Sequence, residues 1–127
     1  MVIKAARGFT LIELLVVLAI LGLLLSLAAP KYVRSVDGAK EAVLAENLHT
    51  TRDAIDRFHA DRGRYPASLD ELVTRRYLRA LPIDPIIDSA TMWRLVAVPS
   101  EEGRNGIADL KSRAPGVGRN GRPYAQW

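Results

Sequence analysis

Residues 9–29 read FTLIELLVVLAILGLLLSLAA, a run of 21 residues in which Glu13 is the only charge. Wound as an α-helix at 1.5 Å per residue, the run is about 31 Å long and matches the hydrocarbon core of a bilayer. Lys4 and Arg7 lie just before it, so the N-terminus is expected on the cytoplasmic side. Three kinds of segment share this pattern. One is a secretory signal cut near Ser26, Leu27 and Ala28, the second a passive single-pass anchor, and the third a helix freed from a short leader at its start. Glu13 discriminates between them. A carboxylate in hydrocarbon costs roughly 2.5–3.5 kcal/mol on insertion scales and is normally kept for a partner. Neither a signal core nor a passive anchor gains anything from that cost.

Extended outward, the stretch becomes KAARGFTLIELLVVLAILGLLLSLAAP, residues 4–30. It resembles the class III signal of type IV pilins and type II secretion pseudopilins. Gly8 matches the residue before the cleavage point, Phe9 the new N-terminus, and Glu13 the glutamate four residues further on. Gly22 and Pro30 match positions that loosen the helix in that family. The resemblance implies that a prepilin peptidase cuts between Gly8 and Phe9 and methylates the new amine. A residue without a side chain at position 8 suits a narrow protease cleft. In a filament, Glu13 then meets the Phe9 ammonium of a neighbouring subunit; the alternative is pairing with the amine of its own chain.

Pro30 has no N–H to donate, so it is expected to kink or interrupt the helix where membrane gives way to water. Beyond it, Val36, Ala39, Val43, Leu44, Leu48, Thr51, Ile55 and Phe58 follow helical spacing. Asp37, Lys40, Glu41, Glu46, Asn47, Arg52, Asp53, Asp56 and Arg57 are placed on the solvent side, and Gly63 suits a C-cap. Ser68 with Glu71 reads as a capping box opening a short helix from 69 to about 77. Pro82 and Asp84-Pro85 mark a loop. Strands are expected at 91–98 and 107–110, joined by a turn over 101–106. The Gly- and Pro-rich tail reads as an ordered loop or a loosely paired third strand.

The expected fold is therefore α+β and pilin-like, with a long N-terminal helix packed on a small antiparallel sheet. Its expected parts are a leader over 1–8, a transmembrane and assembly helix over 9–29, and a periplasmic domain over 30–127. Tyr65-Pro66, Leu81-Pro82, Asp84-Pro85, the strand pair and a terminal Trp127 resemble the major pseudopilin more than a pilus pilin. The chain also has no cysteine, whereas many pilus pilins close their C-terminal region with a disulfide. The family resemblance implies a structural calcium in the C-terminal loop. Against it, no carboxylate side chain follows Asp109, while Lys111, Arg113, Arg119 and Arg122 do. That arrangement repels a dication, and no cofactor is expected.

Composition adds little. The formal charge is +4 at pH 7 over 127 residues, and two of the basic residues belong to the leader. Arg75, Arg76, Arg79 and the basic tail read as solvated, or as facing acidic neighbours, rather than as a nucleic-acid site. His49 and His59, ten positions apart on one helix, are no metal pair. Asp109 and Ser112 lack a histidine near them in sequence, so no catalytic residue is assigned. GVGRNG lacks the flanking strand and helix of a phosphate loop. The function read from these residues is structural: a membrane-anchored subunit of a periplasmic pseudopilus that helps export folded proteins. The partners implied are identical subunits, minor pseudopilins, the inner-membrane platform and the prepilin peptidase. A type IV pilus pilin and a signal-cleaved periplasmic domain are the alternatives.

Overall fold

The computed structural model describes residues 5–99, 103 and 105–127. Helix α1 spans Leu11–Arg62, followed by α2 (Leu69–Thr74), strand β1 (Trp93–Val98), strand β2 (Gly106–Ser112) and a 3-10 turn at Tyr124–Gln126. Contacts divide the chain into two units, Met1–Asp37 and Gly38–Trp127. The architecture is α+β, with a long N-terminal helix packed on a small two-stranded antiparallel sheet.

Over residues 11–30 α1 is apolar on every side apart from Glu13 and Ser26, and its large side chains are exposed: Leu11 at 78%, Leu18 at 56% and Leu27 at 70% of their surface. Pro30 lies inside α1 without interrupting it, so of the kink or interruption expected there the interruption does not occur. A proline removes one i to i−4 bond, and in a helix of 52 residues the turns on either side keep theirs. Ser26 donates its hydroxyl to the Leu23 carbonyl at 2.7 Å, so its polar group is satisfied locally.

In the second unit the amphipathic part of α1 buries Leu44, Leu48, Thr51, Ala54, Ile55 and Phe58. Leu69, Leu72, Trp93, Ile107, Leu110, Ala114 and Tyr124 complete the core. The expected face is right from Leu44 onward but misplaced before it. Val36 is half-buried, Ala39 exposed, and Val43 49% exposed, while Glu41 is buried. The helix ends where Gly63 takes φ +68 and donates to the His59 carbonyl at 2.9 Å, the left-handed cap that glycine adopts without strain.

Ser68 caps α2, its hydroxyl accepting the Glu71 amide at 3.2 Å. The expected helix to about 77 stops at Thr74. Arg76 turns left-handed at φ 64, its amide donating to Val73 and that of Tyr77 to Leu72. This is a Schellman stop without glycine. Tyr77 anchors it, packing edge-on against Phe58 at 5.2 Å and donating to Asp61 at 2.7 Å.

The Glu71 carboxylate accepts from Arg64 at 2.6 Å and from the Ala67 amide at 2.8 Å. The Arg64 hydrogen bond, opposed by burial and aided by Ala67, holds its pKa down at about 2. A depressed carboxylate stabilises the fold above its unfolded value and loses that contribution as pH falls toward the folded value. Arg64 is 37% exposed, so solvent screening reduces the gain to about 1 kcal/mol. Glu71→Gln is expected to lower the unfolding free energy by this amount at neutral pH. The difference should shrink between pH 4.5 and 2, and denaturant titrations across that window check it. A gap that stays constant with pH would exclude the charge as its source.

The strands pair antiparallel from Trp93↔Ser112 to Val98↔Gly106, with an irregularity at Val96/Ala97 that leaves Ala108 unpaired. β1 starts later than expected because the Ser89 hydroxyl accepts the amides of Thr91 and Met92 and turns the chain there. β2 is longer than expected because pairing with β1 carries it to Ser112. β2 opens at Gly106, where a Cβ would come within 2.5 Å of the Tyr65 side chain. Next to it the Ile107 amide donates to the Pro66 carbonyl at 2.8 Å. Half of the turn expected over 101–106, residues 101, 102 and 104, lies outside the described residues. The tail forms an ordered loop with one bridge, Val117↔Pro123, and no third strand among the described residues.

Candidate functional site

Residues 5–10 have no regular secondary structure, and α1 begins at Leu11. Gly8 and Phe9 therefore sit on accessible, non-helical chain, Phe9 being 89% exposed. A peptidase needs its substrate in that form. Thr10 is the last residue before the helix, and Glu13 is three residues on. The Glu13 amide donates to the Thr10 hydroxyl at 3.2 Å, and the Glu13 carboxylate accepts the Thr10 amide at 3.4 Å. This reciprocal pair is a capping box. It satisfies two of the four amides that a helix start leaves without partners. A carboxylate at the positive end of the helix dipole is also favoured.

Thr10 was legible in T-x-x-E, yet the reading of Glu13 as an assembly carboxylate passed over it. Capping gives Glu13 a first partner before any cut creates the Phe9 ammonium. Gly22 stands on an open helix surface, with nothing near the position of a Cβ, and Pro30 lies eight residues further along α1.

The second unit contains a polar arrangement that sequence spacing did not disclose. Glu41 and Arg52, both placed on the solvent side by periodicity, instead hold the C-terminal loop. One Glu41 carboxylate oxygen accepts the Arg119 amide and the Tyr124 hydroxyl, each at 2.9 Å. Arg52 donates to the Asp109 carboxylate at 2.7 Å, the Leu110 carbonyl at 3.0 Å and a Trp127 main-chain oxygen at 2.7 Å. Tyr124 and Trp127 pack on each other with centroids 5.3 Å apart. Asn47, also read as solvated, donates to the Ile83 carbonyl at 2.7 Å. Buried Asp84 accepts from the Ser112 hydroxyl, which in turn accepts the Ala114 amide.

The histidines stand apart. His49 lies 3.4 Å from Asp53, while His59 stacks on Tyr65 at 4.2 Å between centroids. Asp109 and Ser112 face different partners, Arg52 and Asp84. Arg75, Arg76 and Arg79 are exposed. Among the described residues, no group of three or more His, Asp or Glu side chains is placed to hold a metal ion.

α1 is long and apolar enough, by length and composition, to cross a membrane. The prokaryotic N-terminal methylation motif matches residues 3–29, which contain Gly8, Phe9, Thr10 and Glu13. Type II secretion system core protein G of Klebsiella pneumoniae is 30% identical, covering 95% of this chain and 94% of its own length. The same protein of Pectobacterium carotovorum subsp. carotovorum is 31% identical over 86% of this chain and 76% of its own. The type IV major pilin protein PilA of Myxococcus xanthus is 35% identical over 52% of this chain and 30% of that pilin. No solved structure matches. The methylation motif at a capped apolar helix, the α+β unit beyond it and likeness along nearly the full chain agree: the chain belongs to the type II secretion system core protein G family.

Proposed function

We propose that this chain is a non-enzymatic structural subunit of the type II secretion pseudopilus, anchored in the inner membrane with residues beyond the helix in the periplasm. One observation carries the reading. Taken by itself, the first part of α1 buries none of the large apolar side chains from Leu11 to Val33. A surface of this extent requires lipid or neighbouring apolar helices to cover it, and a filament subunit uses the first before assembly and the second after it. Identical subunits, minor pseudopilins, the assembly platform and the prepilin peptidase are the proposed partners, and Gly22 and Pro30 the proposed points of helix flexibility. The pilus-pilin alternative draws on likeness to about half of this chain, against nearly all of it for core protein G.

The test is complementation. In cells lacking their own core protein G, this chain with its cognate secretion machinery is expected to restore export of a folded substrate. It should also give a cross-linked ladder of multimers from the membrane fraction. Restored surface piliation without restored export would favour the pilus reading. Export that proceeds without the chain would remove the proposal.

A further inference from the structure

We infer that Arg52 is a built-in cation for the C-terminal loop, closing it with protein groups in the place where the family resemblance implies a calcium ion. Its guanidinium gathers a carboxylate oxygen from Asp109 and two main-chain oxygens, from Leu110 and Trp127. These acceptors lie 57, 58 and 75 positions along the chain from Arg52. A carboxylate and main-chain oxygens drawn from separate segments are the oxygen set that a hard dication prefers. Here the positive charge arrives on a side chain of α1, and its five donors in a fixed fork reach all three acceptors at once.

Other residues of the loop point the same way. Glu41, a carboxylate that reaches into it from α1, accepts the Arg119 amide and the Tyr124 hydroxyl. The remaining charged side chains of the loop are cations, Lys111, Arg113, Arg119 and Arg122. The Asp109 oxygen held by Arg52 also accepts the Leu110 amide at 2.7 Å, which fixes the carboxylate toward the guanidinium. A dication brought here would have to displace Arg52 and then bind beside a cationic loop. The residues present do not fit calcium. The inference stands independently of the filament reading, since it concerns closure of one subunit.

Arg52 and Asp109 are each 35% exposed, and an exposed ion pair alone contributes little. The closure rests instead on three simultaneous bonds from one rigid group. Arg113, Arg119 and Arg122 are exposed, so trypsin reports opening of the loop. The experiment uses the detergent-solubilised full chain, with thermal unfolding and tryptic cleavage measured in excess EGTA and again in excess calcium. The wild-type midpoint and cleavage rate are expected to be the same in both.

Arg52→Met keeps the aliphatic stem and removes the donors; it should be cut in the loop about tenfold faster or more, as the open population rises, with or without calcium. Arg52→Lys keeps the charge but not the fork, and should lie between the two. A wild-type midpoint that falls by several degrees on chelation and returns with calcium would overturn the inference. So would an Arg52→Met loop as resistant as wild type. If Arg52→Met does not fold, the chelation measurement and Arg52→Lys decide the matter.

Discussion

Glu13→Ala is expected to insert into the membrane as well as wild type and to lose filament assembly, the largest effect of any single substitution considered for this chain. Removing a carboxylate from an apolar helix lowers the cost of insertion. Against this stands the capping box, in which Glu13 accepts the Thr10 amide. Loss of a cap costs about 0.5–2 kcal/mol, less than or comparable to the gain, so the monomer should remain inserted. Assembly differs in kind. In the proposed filament the processed Phe9 ammonium would lie among packed apolar helices, where an unpaired charge costs about 3–5 kcal/mol. Glu13 would exchange its own Thr10 amide for the ammonium of a neighbour. Glu13→Asp keeps the charge one methylene short and should give an intermediate yield. Thr10→Val removes the hydroxyl while keeping the carboxylate, and should affect assembly far less. Cross-linked multimer yield against membrane-inserted monomer is the comparison to make. Normal assembly of Glu13→Ala would show that the carboxylate serves only the cap, and failure to insert would show that the membrane argument is wrong.

Gly8 governs the second large effect. The Gly8–Phe9 bond lies on exposed, non-helical chain two residues before α1. The mature chain is expected to begin at methylated Phe9, shorter by eight residues. Substitution of Gly8 by Leu adds a branched side chain where the backbone must enter a narrow cleft. It should leave the full precursor in the membrane, with the leader still attached and no ammonium at Phe9. Filaments should then be absent, as for Glu13→Ala but for the opposite reason, because the cation is missing instead of the anion. Intact-mass spectrometry of both proteins reads the result directly. A wild-type chain that begins at Ala29 would place the cut of an ordinary secretory signal here, and an uncut wild type would remove the processing step altogether.

Much of this protein follows from local rules. The 21-residue apolar run makes a helix whichever partner covers it, because every backbone group must be satisfied internally in lipid. Gly63 ends that helix through its own left-handed conformation, and Ser68 starts the next through a contact three residues away. Thr10 and Glu13 are joined by the same short spacing. Such features depend on neighbours in sequence, so reading the residues in order reveals them.

Other features were decided only when distant segments met. Periodicity put Glu41 and Arg52 in solvent because a charged residue on a helix normally faces water. The C-terminal loop, 75 or more positions away, brought Tyr124, Arg119 and Trp127 onto them, burying Glu41 and half-burying Arg52. Helix α2 stopped at Thr74 because burying Tyr77 against Phe58 outweighed a strained Arg76. Pro30 stayed within a continuous helix because one absent hydrogen bond was outweighed by the turns flanking it. The sequence by itself determined the long apolar helix, its caps and the class of protein. The tertiary structure decided which charges hold the loop, because a long-range hydrogen bond exists only once packing has brought its partners into reach.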